Sequence, residues 1–506
     1  MSYLLGFDAG TTSFKCSLYN TAGVPVASGG IEYELLTPRP GFVEFPAEQY
    51  FIMFETLVRD VTAKSGVAPE DIAALAISSQ GETLITLDGG GRPLGNAIVW
   101  LDNRSSLEAE EFKARFSPEV VYEATGQCEV VPTWTATKIM WLRKNAPETF
   151  REIRKFLLLE DYFIYMLTGR LVTERGLQCS SLLYDMRTGG WWEEALEFIG
   201  VPESRLPELA DSGAPVGPVK KDAAARLGLS GGTLVVAGAM DQVCAMLGNG
   251  NVDAGGVSES TGSCLAVCVT ADGKPRHDPA IRVTCQHHAI KGKYILMYWV
   301  QTAGMVYKWL KERFYAAESG AMAQHGADIF RFMDEEAAKA PPGADGLIML
   351  PHLEGAQYPE FNSSAKGVLF GITLSHGRPE MARAALEAVA YTLNTILCDL
   401  RRAQGMHIPF VIACGGGAKS ALWCEIKASV AGLPVRTSGV EQPASLGAAI
   451  LAGVGAGVYG SVRQACAQID REFKTYMPRA EWAAVYSEAY EKYRKLYTLL
   501  LPMYEA

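Results

Sequence analysis

The residues best suited to chemistry in this 506-residue chain lie in three glycine-bearing turns and at one carboxylate between apolar runs. Asp8-Ala9-Gly10-Thr11-Thr12 sets a carboxylate, a glycine and two hydroxyls in a tight turn. Backbone N–H groups and hydroxyls in such a turn can cradle phosphate oxygens, and an acidic neighbour can hold Mg²⁺. Lys15 follows at a distance that can meet phosphate charge. A plain hairpin turn accounts for these residues equally well. Residues 258–263 (SESTGS) form a second hydroxyl-and-glycine turn, and residues 414–420 (CGGGAKS) put three glycines ahead of a helix. Helix N-termini of that kind suit nucleotide phosphates. Neither GxxxxGK[ST] nor a GxGxxG after the first strand occurs, so this is neither a P-loop nor a dinucleotide fingerprint. Three such turns, each leaving a strand, point to a nucleotide held between two lobes.

Asp241 closes the apolar run LVVAGAM and precedes the apolar segment QVCAMLGNG. Burial there disfavours the charged carboxylate and raises its proton affinity towards that of a useful general base. An Asp in front of a helix is also a favoured N-cap. The two roles are compatible, since one oxygen can cap while the other faces a cleft.

These residues need elements to carry them. Residues 3–7 and 15–19 read as strands joined by the DAGTTSF turn, and VPVASGGIEYELL continues as a third, antiparallel strand. Helical periodicity runs over 46–63 with Gly66 beyond its end, and 72–78 is a short buried strand. A further strand pair is expected around LDGGGRPLG. Apolar faces predict helices at 135–143, 160–167 and 191–199, while DSGAPVGPV reads as loop. From Gly255 the segment GGVSESTGSCLAVCVT repeats the plan of the opening hairpin, which suggests an internal duplication. The expected fold class is α/β, with mixed sheets flanked by helices. The glycine-rich NGNVDAG marks a boundary between two lobes, 1–249 and 255–455, followed by a helical tail over 456–506. The tail's tyrosines, at helical spacing, read as core or as a surface stripe rather than a cofactor box.

Composition narrows the function classes. Lys plus Arg is 46 against 56 Asp plus Glu, a net charge of −10 without a basic run, which argues against nucleic-acid or anionic-membrane binding. Eleven cysteines, with no CxxC, predict reduced thiols in a cytoplasmic protein rather than a disulfide framework or zinc ribbon. Cys264 and Cys268, four apart in one apolar run, are expected to pack on one face of a strand; His287 and His288, adjacent, should face opposite ways. No run reaches the roughly 18 apolar residues of a membrane span.

In their order along the chain, DAGTT, GAMDQ, STGS and GGGAKS resemble the FGGY carbohydrate kinases. Residues 367–387 (GVLFGITLSHGRPEMARAALE) are similar to that family's C-terminal consensus, and 135–145 (TATKIMWLRKN) to its N-terminal one, with a looser position at Thr133. The similarity runs from about residue 4 to residue 455. It implies a two-lobed actin/hexokinase-like (ribonuclease H-like) ATPase fold and ATP- and Mg²⁺-dependent phosphorylation of a sugar hydroxyl. Asp8 would position Mg²⁺ together with Asp241, and Thr11, Thr12 and Lys15 would contact the ATP phosphates. Asp241 would deprotonate the attacking hydroxyl. Thr261 and Gly262 would form a second phosphate loop, Gly304 would approach the γ-phosphate, and Gly416, Gly417 and Ser420 would lie along the adenosine. Glu82 and Trp100 resemble polyol-contacting residues of glycerol kinases, and Gln242 follows the base.

The matching glycerol kinase arginine is Gly81 here, which leaves room for a longer substrate, and the methionine-histidine pair of many xylulose kinases is missing. Asp102, Asn103 and Arg104 read either as further hydroxyl ligands or as a solvated turn. Within the family a ketopentose such as D-xylulose is the expected substrate, with glycerol, erythritol or gluconate as alternatives. A non-catalytic sugar or nucleotide sensor and an actin-like ATPase are the readings from other classes. Asp8 and Asp241 together speak against the sensor, Glu82 and Trp100 against the pure ATPase. A homodimer is a possible assembly.

Overall fold

The computed structural model describes residues 2–279 and 281–504. Alternating apolar residues build the opening strands β1 (Tyr3–Ala9), β2 (Ser13–Asn20) and β3 (Pro25–Glu32), an antiparallel meander that sets Asp8 opposite Lys15. Helix α1 (Ala47–Ser65) buries Tyr50, Phe51, Phe54 and Leu57 and stops at Gly66, whose φ of 65° few other residues adopt. Strand β4 (Ile72–Ser79) then lies parallel to β1, bringing Ser78 beside Asp8. Helices α2 (Thr135–Asn145) and α3 (Leu159–Thr168) precede β5 (Pro215–Pro218) and β6 (Leu234–Met240). The first sheet runs β5-β6-β4-β1-β2-β3.

Three expectations need correction here. The segment expected as loop, DSGAPVGPV, contains β5, which pairs with β6 at the sheet edge. Proline is tolerated there because an edge strand has a side with no ladder to lose. The helix expected at 191–199 begins only at Glu193, since Trp191 belongs to a two-residue strand. The strands flanking LDGGGRPLG exist, but Ile85–Leu87 pairs with Lys155–Leu157 and Asn96–Ile98 with Glu44–Pro46. Between the flanking segments themselves only isolated bridges form.

After helix α4 (Asp241–Gly248) a second sheet repeats the plan of the first. Hairpin β7 (Val257–Thr261) and β8 (Leu265–Ala271) is extended by β9 (Thr284–His287) and β10 (Tyr294–Val300) on one side. Helices α5 (Gly304–Phe314) and α6 (Arg378–Gln404) follow. On the other side β11 (Val411–Cys414) lies parallel to β7, as β4 does to β1. Helix α7 (Ala421–Ala431), β12 (Val435–Thr437) and α8 (Pro443–Gly455) come next. The tail adds β13 (Lys474–Tyr476) to the sheet edge and ends in α9 (Ala483–Tyr504). Tyr486, Tyr490 and Tyr493 of α9 gather around Tyr391 of α6 with ring centroids 6.4, 6.1 and 5.4 Å away, a packed core rather than a surface stripe.

Helix α8 comes late in the sequence yet lies on the first sheet, where Leu446, Ile450 and Leu451 join Leu4, Ala74 and Val236 in one core. Its contact with α4 is backbone to backbone. A Cβ on Gly447 would stand 1.9 Å from the Cys244 carbonyl oxygen, so only glycine lets the two helices cross this closely. These crossed helices hold the floor on which the two sheets meet.

All eleven cysteines are free, in keeping with reduced thiols. Cys268 is buried in β8, whereas Cys264 lies just before that strand and is half-buried, so the two do not share one face of it as expected. Among the described residues no helix is long and apolar enough to cross a membrane.

Candidate active site

The DAGTT turn is pinned from two sides. The Tyr33 hydroxyl donates to the Gly10 carbonyl at 2.6 Å, and the Gln80 amide N–H donates to the Ala9 carbonyl at 3.1 Å. Asp8, the penultimate residue of β1, accepts from the Ser78 hydroxyl at 2.9 Å. Burial raises its carboxyl above the usual range, against the pull of Ser78 and Lys15. Asp241 opens α4, half-buried, with its Oδ1 accepting from the Gln242 N–H at 2.6 Å. Its carboxyl is raised to about 7, first by burial and then by the negative charge of Asp8, with Glu82 adding to the effect. A carboxylate poised there can take a proton at neutral pH.

A cavity of about 260 Å³ opens between the sheets. Asp8 and Lys15 line it from the first lobe, Gln242 from α4, and Ser260, Cys414 and Gly415 from the second. Glycine turns from both lobes therefore converge on one space. On the far side Gly304 abuts Gly262. Its N–H donates to the Gly262 carbonyl at 3.0 Å, and a Cβ on Gly304 would lie 2.2 Å from that oxygen. Gly415 stacks on the same turn, against the Thr261 carbonyl.

Several expected contacts are already occupied within the protein. The Thr261 hydroxyl donates to Glu259 Oε2 at 2.6 Å and accepts from Lys427 Nζ at 2.8 Å, so Thr261 can offer a ligand only its backbone. Glu259 Oε1 takes Lys427 Nζ at 2.6 Å, and both side chains are fully buried. Gly417 is buried against the Thr261 side chain, whereas Gly416 is exposed. The Ser420 hydroxyl caps α7 by accepting from the Trp423 N–H. Trp100 Nε1–H donates to Thr11 Oγ1 at 2.8 Å, which joins the expected sugar and phosphate residues directly. Thr12 is exposed on the turn. Cys268 donates to Gln242 Oε1 at 3.6 Å.

Asp102 and Arg104 fit neither reading made of them, while Asn103 is exposed as a solvated turn would have it. Asp102 is buried, with both oxygens taken by Arg104 and the Val43 N–H, and Arg104 also reaches Glu44 at 2.7 Å. This is a structural ion cluster, with Asn103 exposed beside it. Sequence reasoning missed Lys138, a fully buried lysine on α2 whose Nζ donates to the Glu82 and Val99 carbonyls at 3.0 and 3.1 Å. It also missed Glu259 and Lys427, which lie 168 residues apart. Burial raises Glu82 and lowers Lys138, and their mutual attraction opposes both shifts.

The negative charge of Asp8 raises the proton affinity of Asp241, while Ser78 and Lys15 act on Asp8 itself. Among the described residues no group of three His, Cys, Asp or Glu forms a metal cage. Mg²⁺ takes one or two carboxylates and fills its remaining positions with water and phosphate oxygens, a demand that Asp8 and Asp241 would meet.

The N-terminal domain of the FGGY family of carbohydrate kinases matches residues 3–248 and its C-terminal domain residues 257–456. A xylulose kinase of Bacillus subtilis is 28% identical over 498 residues, covering 98% of this chain and 97% of the relative. The crystal structure of a ligand-bound xylulose kinase from Lactobacillus acidophilus superposes with a TM-score of 0.90 at 27% identity, covering 100% of this chain and 99% of the other. A gluconate kinase from the same organism gives 0.89 at 27% identity, over 99% and 98%. The duplicated mixed sheets are thus those of the actin/hexokinase-like fold. With both family domains matched in order over residues 3–248 and 257–456, the chain belongs to the FGGY family of carbohydrate kinases and is a sugar kinase.

Proposed function

We propose that the protein transfers the γ-phosphoryl group of ATP to a hydroxyl of a ketopentose such as D-xylulose. The observation that carries this reading is the pair Asp8 and Asp241, both raised by burial and Asp241 further by the charge of Asp8, with Asp8 and Gln242 lining a cavity that residues of both lobes enclose. Asp241 takes the proton of the attacking hydroxyl as its oxygen bonds to the γ-phosphorus and the bond to the ADP oxygen breaks. Phosphoryl transfer asks little else of a protein than position and charge. Thr11, Thr12 and Lys15 receive the phosphate oxygens, the turn of Thr261 and Gly262 with Gly304 packed against it borders them, and Gly416, Gly417 and Ser420 border the adenosine. Glu82, Trp100 and Gln242 orient the sugar. Mg²⁺ held by Asp8 and Asp241 would neutralise the phosphate charge. Closure of the lobes would exclude water and limit wasteful hydrolysis.

Gly81 favours a substrate longer than glycerol. Its Cβ position has only the Ser180 hydroxyl nearby, at 3.3 Å, where an arginine would fill the space. The test is ADP release by the purified protein against a panel of pentuloses, hexuloses, polyols and sugar acids. Ketopentose-dependent release is expected, and turnover confined to another class would replace the substrate named here.

A further inference from the structure

We infer that Glu160 is a positioning residue for Asp241, holding a bulge in β6 that sets the direction in which the chain enters α4 with that carboxylate. This rests on the reading of Asp241 as the base. It begins in the ladder between β6 and β4. Val236 lies opposite Ala76, yet Ala239 lies opposite Ser78, so β6 takes three steps where β4 takes two. A bulge of this kind inserts one residue, interrupts the ladder and re-aims the side chains beyond it. Strand residues alternate between faces, so the inserted residue reverses the faces of Ala239 and Met240 relative to an unbroken ladder. Asp241 follows directly as the first residue of α4.

Gly238 sits at the bulge for a steric reason. It is buried, and a Cβ there would stand 1.8 Å from the Ile77 carbonyl oxygen. One residue earlier the backbone is tied to the other side. The Ala237 N–H donates to the Ala214 carbonyl at 2.9 Å, and the Ala237 carbonyl accepts from the Gly213 N–H at 2.8 Å. The Gly238 N–H donates instead to a side chain, Glu160 Oε1, at 2.6 Å. Glu160 is the second residue of α3 and is fully buried. Its Oε2 has no hydrogen-bond partner among the described residues, so the amide at the bulge is what the carboxyl is placed to meet. Burying a carboxyl this deeply is costly, which argues that the bond serves a purpose. Beyond the bulge, Ala239 stands opposite Ser78, whose hydroxyl donates to Asp8. The bond thus steadies the strand end that borders Asp8 and leads into Asp241. Glu160 is not one of the residues lining the cavity, so it acts on turnover through the strand and not by contact.

The test compares Glu160→Gln, Glu160→Asp, Glu160→Leu and Asp241→Asn with the wild type by ADP release on one acceptor. That acceptor is D-xylulose or, if another compound of the panel is turned over better, that compound, so the outcome does not depend on which sugar the enzyme prefers. Burial, with Glu174 and Asp161 close by, pushes the Glu160 carboxyl well above its usual range, which makes a neutral amide a close replacement. Glu160→Gln can still accept from Gly238 and should lose no more than about threefold in kcat. Glu160→Leu cannot accept, and a displacement of the base on the order of 1 Å should lower kcat about 30- to 100-fold. Its sugar KM and calorimetric ATP affinity should stay within about threefold, a split that general loosening of the lobe does not produce. Glu160→Asp, one methylene shorter, should lose about tenfold in kcat, and it decides the matter if Glu160→Leu does not fold. Equal kcat in Glu160→Asp and Glu160→Gln, or sugar KM and ATP affinity worsening in step with kcat, overturns the inference. If Asp241→Asn has meanwhile lost its turnover, the base reading survives that result. Near-normal turnover of Asp241→Asn overturns the base reading itself, and this inference with it.

Discussion

The hairpins that open the two sheets share one plan and put their carboxylates to opposite uses. In the first, Asp8 pairs with Ser78 on the parallel neighbour β4; in the second, Ser260 holds the matching station beside Cys414 of β11. The acid of the second hairpin, Glu259, comes one residue earlier. Successive strand residues point to opposite faces, and at this offset the Glu259 carboxylate takes the buried Lys427 ammonium as its partner. Both residues border the cavity, but Asp8 has a proton affinity raised by burial whereas the Glu259 carboxylate is locked to Lys427 and Thr261. The same scaffold thus yields one carboxylate free of a cationic partner in hydrogen-bond range among the described residues, to which we assign chemistry, and one bound in a buried ion pair. The strand position of the acid, not its presence, separates the two hairpins.

That contrast can be broken from either side. The largest effect is expected from Lys427→Met, which strands a buried Glu259. Breaking a buried pair from one side costs about 3–5 kcal/mol, and a denaturant titration should show it. Adding Glu259→Gln should recover part of that loss, and no recovery would mean that the pair does not hold the turn. Lys15→Met, on the exposed face of the first hairpin, should leave the denaturation midpoint nearly unchanged while weakening ATP. Next comes Gly304→Ala, whose methyl would meet the Gly262 carbonyl. Overpacking of this kind costs about 1–3 kcal/mol, and the displaced phosphate turn should raise the ATP KM more than the sugar KM. Unchanged nucleotide affinity would remove Gly262 from the site.

The pH profile is a gentler probe. Asp241 is raised to about 7 and must be unprotonated to act as a base, so kcat/KM should fall as pH drops through that value and level off above it. The decline should approach about tenfold per pH unit on the acid side. A profile flat from pH 5 to 8 would show that another group takes the proton. The smallest shift is expected from Gly81→Arg, which should move preference towards glycerol-sized acceptors, as read from relative kcat/KM across a polyol panel.

Much of this organisation was legible in the sequence, for local reasons. The DAGTT hairpin, α1 with its Gly66 stop and the tyrosines of α9 follow from alternation, capping and helical spacing, which act over a few residues. Strand β5 was hidden because its two prolines argue for loop unless the edge position is known. Lys138, Glu259 and Lys427 were hidden for a different reason. A buried charge is recognised by its partner, and these partners lie 39 to 168 residues away. The triplet Asp102, Asn103 and Arg104 left two readings open, because its bonds to Val43 and Glu44 depend on a distant strand. Asp241 was found from the apolar run before it, yet the charges that tune it, Asp8 and Glu82, meet it only in the folded chain.

The central claim is that Asp241 accepts the proton of the sugar hydroxyl while other residues hold the nucleotide. It is tested most directly with Asp241→Asn, by measuring ketopentose-dependent ADP release alongside calorimetric ATP binding. Turnover should fall by about a thousandfold, within the range for loss of a general base, while ATP affinity changes by no more than about threefold. Near-normal turnover in that variant would contradict the account.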